Sequence, residues 1–327
     1  MNGRNLRVLV TGAGGFVGRV VCAQLLAKSY CVRGTVRECG RHQLDDRIDA
    51  VQVASVDENT DWSEALANID VVIHLAARVH IMDDDSKNPL EEFRRVNTAG
   101  TEHLARIAAA VGVKRMVYVS SIKVNGDATL GEKKLSESGE ASPQDPYGIS
   151  KWEAEKALHR VSQETGLEVV SVRPPLVYGP GVKGNFAQMM SILAKDIPLP
   201  LASVHNRRSL IYVDNLVDAL ILCATHPAVA GQTYLVSDGN VSTSDLLRQL
   251  GVAMGKPARL FYFPQFLLKL AGRLVGKSAQ IERLLGSLQV DSSKIRRELG
   301  WKPPFTLQEG IRITGQSFLN LNDELDR

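Results

Sequence analysis

The chain has 327 residues, 44% of them apolar, and its 39 Lys and Arg nearly balance 36 Asp and Glu for a formal charge of +3. That is enough apolar material for one large α/β domain or two lobes sharing a boundary, and so small an imbalance gives no electrostatic footprint for nucleic acid. Cys22, Cys31, Cys39 and Cys223 form no Cys-x-x-Cys pair and no His stands at zinc spacing, so no metal site is expected, only reduced packing thiols in a cytoplasm.

The N-terminus enters an apolar pattern almost at once, without the basic and apolar regions of an export signal. In chain order, apolar runs rich in β-branched residues fall at 7–11 (RVLVT), 31–36 (CVRGTV), 71–75 (VVIHL), 115–120 (RMVYVS) and 168–173 (EVVSVR), with helical patterns between most of them. That alternation predicts a doubly wound parallel sheet. Directly after the first run, VTGAGGFVG sets Gly12, Gly15 and Gly18 at the entry to a helix whose first turn holds Phe16 and Val17. A pyrophosphate needs close backbone approach and free N–H groups at a helix N-terminus, which side chains would obstruct. A tight turn that merely needs glycine is the plainer account, but strand, triplet and helix together point to a dinucleotide site. The second run ends in RGTVRECG, with no acid at its tip to accept from ribose hydroxyls. Arg37 is placed to pair with a 2′-phosphate and Arg41 to assist, so NADP(H) is favoured and NAD(H) stays open, with Glu38 then reaching the ribose.

A helix is expected from Pro146, capped by Asp145 and stopped by Gly166, with Ala154, Ala157, Leu158 and Val161 as its buried stripe. Its YGISK sets Tyr147 and Lys151 four apart, on one face. Tyrosine, with a pKa of about 10, is a poor base at neutral pH, and a neighbouring ammonium favours the phenolate. The serines of SSIKVNG, at the end of the run 115–120, offer a hydroxyl to a substrate oxygen, although a surface Tyr/Lys pair is the bland alternative. After Arg173 the text turns to PPLVYGPGVKGNF, which suggests a lobe boundary: 1–173 binds dinucleotide, 174–327 binds substrate, and 209–237 rejoins the first sheet through SLIYV, a helix and QTYLVS. Phe263 to Lys277 is shorter than the ~20 residues of a spanning helix. An amphipathic cover for the second lobe is favoured there, and whether 263–288 touch a membrane surface stays open.

The Gly-x-x-Gly-x-x-Gly turn, YGISK, RPPLVYGPG, RRSLIYVDN and SSKIRRELGWKPP together resemble the extended branch of the short-chain dehydrogenase/reductases, the NAD-dependent epimerase/dehydratase family, along nearly the whole chain. The resemblance implies a Rossmann-type sheet with a smaller, discontinuous C-terminal substrate lobe, and the triad Ser121, Tyr147 and Lys151. By the same resemblance Ser55 stands where the family's adenine-contacting Asp usually does, beside Val56, with Asp57 as a substitute. Leu75, Ala76 and Ala77 line the cofactor, Asn97 lies on its side or is an ordinary helix contact, and Arg78 faces substrate. Arg208 grips a diphosphate, the Arg207/Arg208 pair being otherwise a solvated loop, and Asn185 belongs to the substrate lobe. Helices before Ala110 and after Pro146 are those of the family's four-helix homodimer.

Related 4,6-dehydratases carry Thr-Asp-Glu at Ser121, Ile122 and Lys123, the two acids handling the C5 proton and the departing 6-hydroxyl. Ile122 exchanges no proton and Lys123 has the opposite charge, so dehydration is not expected. Lys123 either contacts substrate or is solvated or salt-bridged. Leu176 stands where epimerases often have Asn. Several phrases, RPPLVYGPGVKGNF and NRRSLIYVDNLVDAL among them, resemble bacterial O-antigen-cluster reductases. The expectation is therefore NAD(P)H-dependent reduction at C4 of a UDP-4-keto-6-deoxy-N-acetylhexosamine to UDP-N-acetylquinovosamine. The alternatives are a UDP-hexose or UDP-N-acetylhexosamine 4-epimerase and a non-catalytic dinucleotide-sensing protein.

Overall fold

The computed structural model describes residues 6–38, 44–79, 88–274, 276 and 278–325. Arg41 and the segment 80–87 lie outside them, as do Val275 and Lys277 within 263–288.

Seven parallel strands form the main sheet in the order β3-β2-β1-β4-β5-β6-β9: β1 (Arg7–Thr11), β2 (Cys31–Val36), β3 (Asp49–Gln52), β4 (Val71–His74), β5 (Arg115–Val119), β6 (Glu168–Arg173) and β9 (Thr233–Leu235). Alternation along each strand divides the core in two. Val8, Val10, Ile73, Val117 and Val170 pack under α1 (Phe16–Ala27), α7 (Val213–Thr225) and α11 (Ser293–Leu299). Leu9, Val72, Met116 and Val169 face α2 (Ser63–Leu66), α4 (Gly100–Ala110) and α5 (Pro146–Thr165). A sheet covered on both faces is a doubly wound Rossmann-type fold. Its strand order reverses between β1 and β4, which opens a crevice at their C-terminal ends.

A second sheet holds β7 (Leu176–Tyr178), β8 (Arg208–Tyr212) and β10 (Gly239–Val241). Around it, α6 (Asn185–Ala194), α8 (Thr243–Ala253), α9 (Gln265–Leu274), α10 (Ser278–Leu285) and α12 (Leu307–Leu325) contribute to a third core. The expectation that 209–213 rejoins the first sheet is corrected here: β8 pairs with β7 and β10, whereas α7 and β9 do return to the main sheet. An apolar run reports that a strand is buried, and it does not name the strand's neighbour.

Candidate active site

The turn after β1 is shaped by what its glycines lack. Gly12 has φ +70°, and a Cβ there would sit 3.2 Å from the Ala76 nitrogen. At Gly18 a Cβ would meet the Gly12 oxygen at 2.2 Å, and at Gly15 it would meet that oxygen at 3.1 Å. Helix α1 can therefore press onto the loop. Its first described ladder bond from the cap is Arg19 N–H to Gly15 O (3.1 Å), and Gly15 gives no side-chain cap, so the Phe16 and Val17 amides at the first turn carry the orphan-donor character of a helix N-terminus. This cradle fits the pyrophosphate of a dinucleotide.

Beneath the cradle lies a buried relay that the sequence did not announce. Thr11 Oγ1 accepts the Leu75 and Ala76 amides (3.1 Å each), so its own proton goes to His74 Nδ1 at 2.7 Å. His74 Nε2 then donates to Thr101 Oγ1 at 3.0 Å. Burial pulls His74 down to about 3, and the Lys151 charge adds to the effect, so the ring is neutral. The result fixes the backbone of Leu75 and Ala76, both half-buried, against α4. Asn97 does the same for Arg78. It is buried in a π-helical turn, Arg94–Ala99, where its Oδ1 accepts the Arg78 amide (2.8 Å) and its Nδ2 donates to Arg78 O and to Ser150 Oγ (3.0 Å each). The side chain expected on the cofactor side thus ties the Arg78 backbone to α5.

The adenine and ribose end is less built. Arg37 and Glu38 are exposed, and the Arg37 carbonyl accepts from Gln52 Nε2 (3.2 Å). Ser55 is exposed and Val56 half-buried beneath Gly100. The Asp57 carboxylate is occupied by the Asn59 amide (3.0 Å) and faces Arg95 (3.7 Å), and that amide chiefly holds its pKa below the usual carboxylate value.

Strand β5 and α5 bring the chemistry-bearing residues together. Asp145 caps α5 by accepting the Gly148 amide (2.7 Å), Pro146 opens the helix, and Gly166 closes it in the left-handed region (φ +76°). Lys151 is buried on this helix and donates to Val119 O at 2.9 Å, with its ammonium 4.7 Å from the Tyr118 ring centre and 5.9 Å from that of Tyr147. Ser121 caps the short 3₁₀ turn 122–124, accepting the Lys123 amide (3.2 Å), and its hydroxyl lies near enough to the Tyr147 phenol to lower the pKa of that group. Its neighbour Ser120 points elsewhere: that Oγ is buried and, among the described residues, has no hydrogen-bond partner. Burial pushes the half-buried Tyr147 phenol up to about 12, opposed by the Ser121 hydroxyl and reinforced by Asp145. Burial also pulls the Lys151 ammonium down to about 7 against the attraction of Glu155.

Lys123 is salt-bridged. Its Nζ lies 2.7 Å from Asp145 and 2.8 Å from Asp127, while Ile122 is buried. Arg208, half-buried at the start of β8, donates to Arg283 O (2.7 Å) and Gly286 O (3.2 Å). Burial and then Arg283 lower its pKa, with Asp127 opposing, and Arg207 pairs with Glu132 (2.7 Å). Asn185 is exposed at the head of α6, and Leu176 is exposed on β7. Arg78 lies over the Phe93 ring (5.6 Å), which in turn meets Tyr147 edge-on at 6.0 Å.

Fold and turn define a dinucleotide-binding α/β enzyme. A model of the NAD dependent epimerase/dehydratase family matches residues 8–237, and the chain belongs to that family. It is 46% identical over 319 residues to a UDP-glucose 4-epimerase of Vibrio cholerae, covering 97% of this chain and 96% of the relative. It is 28% identical over 340 residues to a 3-beta-hydroxysteroid dehydrogenase of Mycolicibacterium neoaurum, covering 93% and 89%. The UDP-glucuronic acid 4-epimerase of Bacillus cereus, solved with NAD, shares the fold with a TM-score of 0.77 at 23% identity, over 97% of this chain and 99% of that one.

Proposed function

We propose that the chain moves hydride at C4 of a UDP-hexose, with Ser121, Tyr147 and Lys151 as its catalytic residues. The observation that carries this reading is a hydroxyl, a phenol and an ammonium gathered at one place, the ammonium 5.9 Å from the phenol ring centre, beside positions that hold no acid: buried Ile122 and ion-paired Lys123. Elimination needs a carboxylic acid there and finds none. The dinucleotide, when bound, supplies or accepts the hydride; Gly12, Gly15, Phe16, Val17 and Gly18 would hold its pyrophosphate, Arg37, Ser55 and Val56 its adenosine, and Leu75, Ala76 and Ala77 its inner half. Ser121 Oγ and Tyr147 Oη bind the sugar oxygen, and the phenol gives it a proton as the alkoxide develops or removes one in reverse. Lys151, with Asn97 and Ser150 steadying the neighbouring backbone, favours the phenolate. The UDP diphosphate meets Arg208, and Arg78, Lys123 and Asn185 border the sugar. The substrate lobe is 174–327 apart from α7, β9 and α11, which return to the main sheet.

Our finer reading is net NADPH-dependent reduction of a UDP-4-keto-6-deoxy-N-acetylhexosamine to UDP-N-acetylquinovosamine, supported by the exposed, apolar Leu176 where epimerases often have Asn. The name of the Vibrio cholerae relative favours 4-epimerisation as a second reading, in which nicotinamide is retained. A panel of UDP-sugars with NADH or NADPH, followed at the nicotinamide absorbance, separates them. Oxidation with a 4-keto sugar and no exchange of UDP-glucose with UDP-galactose is expected, and exchange without net oxidation makes the chain an epimerase. A Tyr147→Phe chain with unchanged function would point instead to dinucleotide sensing.

A further inference from the structure

Helix α9 carries an apolar stripe on its outer side. Leu268 and Gly272 are its buried residues, whereas Phe266, Leu270 and Leu274 are 68%, 52% and 80% exposed. Spacing of four places those three along one arc of the helix, opposite the buried pair. The segment entering the helix continues the pattern, with Phe261 and Tyr262 also exposed. It is held in place by its backbone: Phe261 N–H donates to Leu199 O (3.0 Å), and Ser203 Oγ donates to Phe263 O (2.7 Å). The exposure therefore belongs to a fixed element and not to a loose end. Five large apolar side chains in one short stretch are more than the scattered exposure of an ordinary surface.

Charge selects the occupant. Lys269 and Arg273 are exposed and lie one turn apart along the edge of the Phe266 arc, and α9 has no acidic residue. An apolar arc rimmed by cations alone is the pattern of a helix lying in the interface of an anionic bilayer. A second copy of the chain fits less well, since a two-fold contact through this arc would bring four cations to one rim with no acid on α9 to meet them. The position has a use as well. Helix α9 packs on α10, whose C-terminal carbonyl at Arg283 accepts from Arg208, and the Arg283 charge acts on Asp145 at the cap of α5.

We infer that α9 docks the protein onto an anionic phospholipid surface through Phe266, Leu270 and Leu274, with Lys269 and Arg273 pairing to headgroups. The mouth of the substrate crevice then lies close to the bilayer. This goes beyond the hydride chemistry and does not depend on it.

Co-sedimentation of the full chain with vesicles of phosphatidylcholine, with and without phosphatidylglycerol, tests the inference. Each cation near an anionic surface is worth about fivefold in binding, so the mixed vesicles are expected to bind well over tenfold more tightly, with the advantage lost in high salt. Phe266→Ser/Leu270→Ser/Leu274→Ser is expected to abolish binding to either vesicle. Lys269→Glu/Arg273→Glu, which leaves the apolar arc intact, removes only the preference for the anionic one. Thermal melts of both variants check that they fold. Wild-type chain that stays in the supernatant, that binds both vesicles equally, or whose sedimentation coefficient in the absence of lipid depends on the stripe overturns the inference, the last in favour of self-association.

Discussion

Burial moves Tyr147 and Lys151 in opposite directions from their ordinary pKa values, and only the lysine is left short of the state it needs at neutral pH. With the phenol at about 12 and the ammonium at about 7, reduction requires a protonated Tyr147, which the chain has, and a charged Lys151, which it keeps only below about pH 7. The kcat/KM for ketone reduction is therefore expected to be level at low pH and to fall as pH rises through about 7. Lys151→Met should lower it roughly 10²–10⁴-fold and erase that limb, and a limb that survives belongs to another group. The same shift bears on stability. A lysine depressed below its unfolded value of about 10.4 contributes fully above that pH and loses the contribution as pH falls towards 7. Thr11 is the second residue to test: Thr11→Val strands His74 Nδ1 and the Leu75 and Ala76 amides, at a cost of about 2–4 kcal/mol read by denaturant unfolding, together with weaker dinucleotide binding by titration. Neither Thr11 nor His74 could be recognised beforehand, because each sits inside an apolar run whose pattern reads only as buried strand. The triad was legible because its spacing is chemical, with two residues one helical turn apart and a hydroxyl at a strand end.

At the level of the element, Asp145 serves α5 twice, as the cap for Gly148 and as the partner of Lys123. Asp145→Ala removes both and should cost about 1–2 kcal/mol in unfolding, whereas Asp145→Asn keeps a good cap and should recover most of that. A variant pair of equal stability would make the cap unimportant. The helix itself could be read from Asp145 to Gly166 because its start, stop and stripe are all local signals. Five of the seven first-sheet strands were readable for a similar reason: strands buried on both faces are written as runs rich in β-branched residues. SLIYV is written in the same way and lies in the other sheet, since burial is recorded in the sequence of a strand while its hydrogen-bond partner is not. The exposed stripe of α9 shows the same limit from the other side. Its leucines look identical whether they turn inward or out.

For the whole molecule, the assembly we propose is a homodimer through α4 and α5, which lie side by side and are joined by Arg106–Glu164 (2.7 Å). Sedimentation equilibrium should return twice the 35.7 kDa chain mass, and a single-chain mass at micromolar concentration would end that proposal. No helix among the described residues is long and apolar enough to cross a membrane. The last consequence comes from the seam between the two sheets. Strand β8 ends at Tyr212 and α7 begins at Val213, and the core beneath one face of the main sheet includes Ile211, Leu216, Leu220, Tyr234 and Trp301. A ribosome that has released the first 173 residues has therefore made most of a sheet with one side covered by α1 alone. The missing cover is not finished until Trp301, on the order of ten seconds of synthesis later. During that interval the nascent chain depends on whatever shields it, so a stall between Arg173 and Trp301 should be far more damaging than one near the C-terminus.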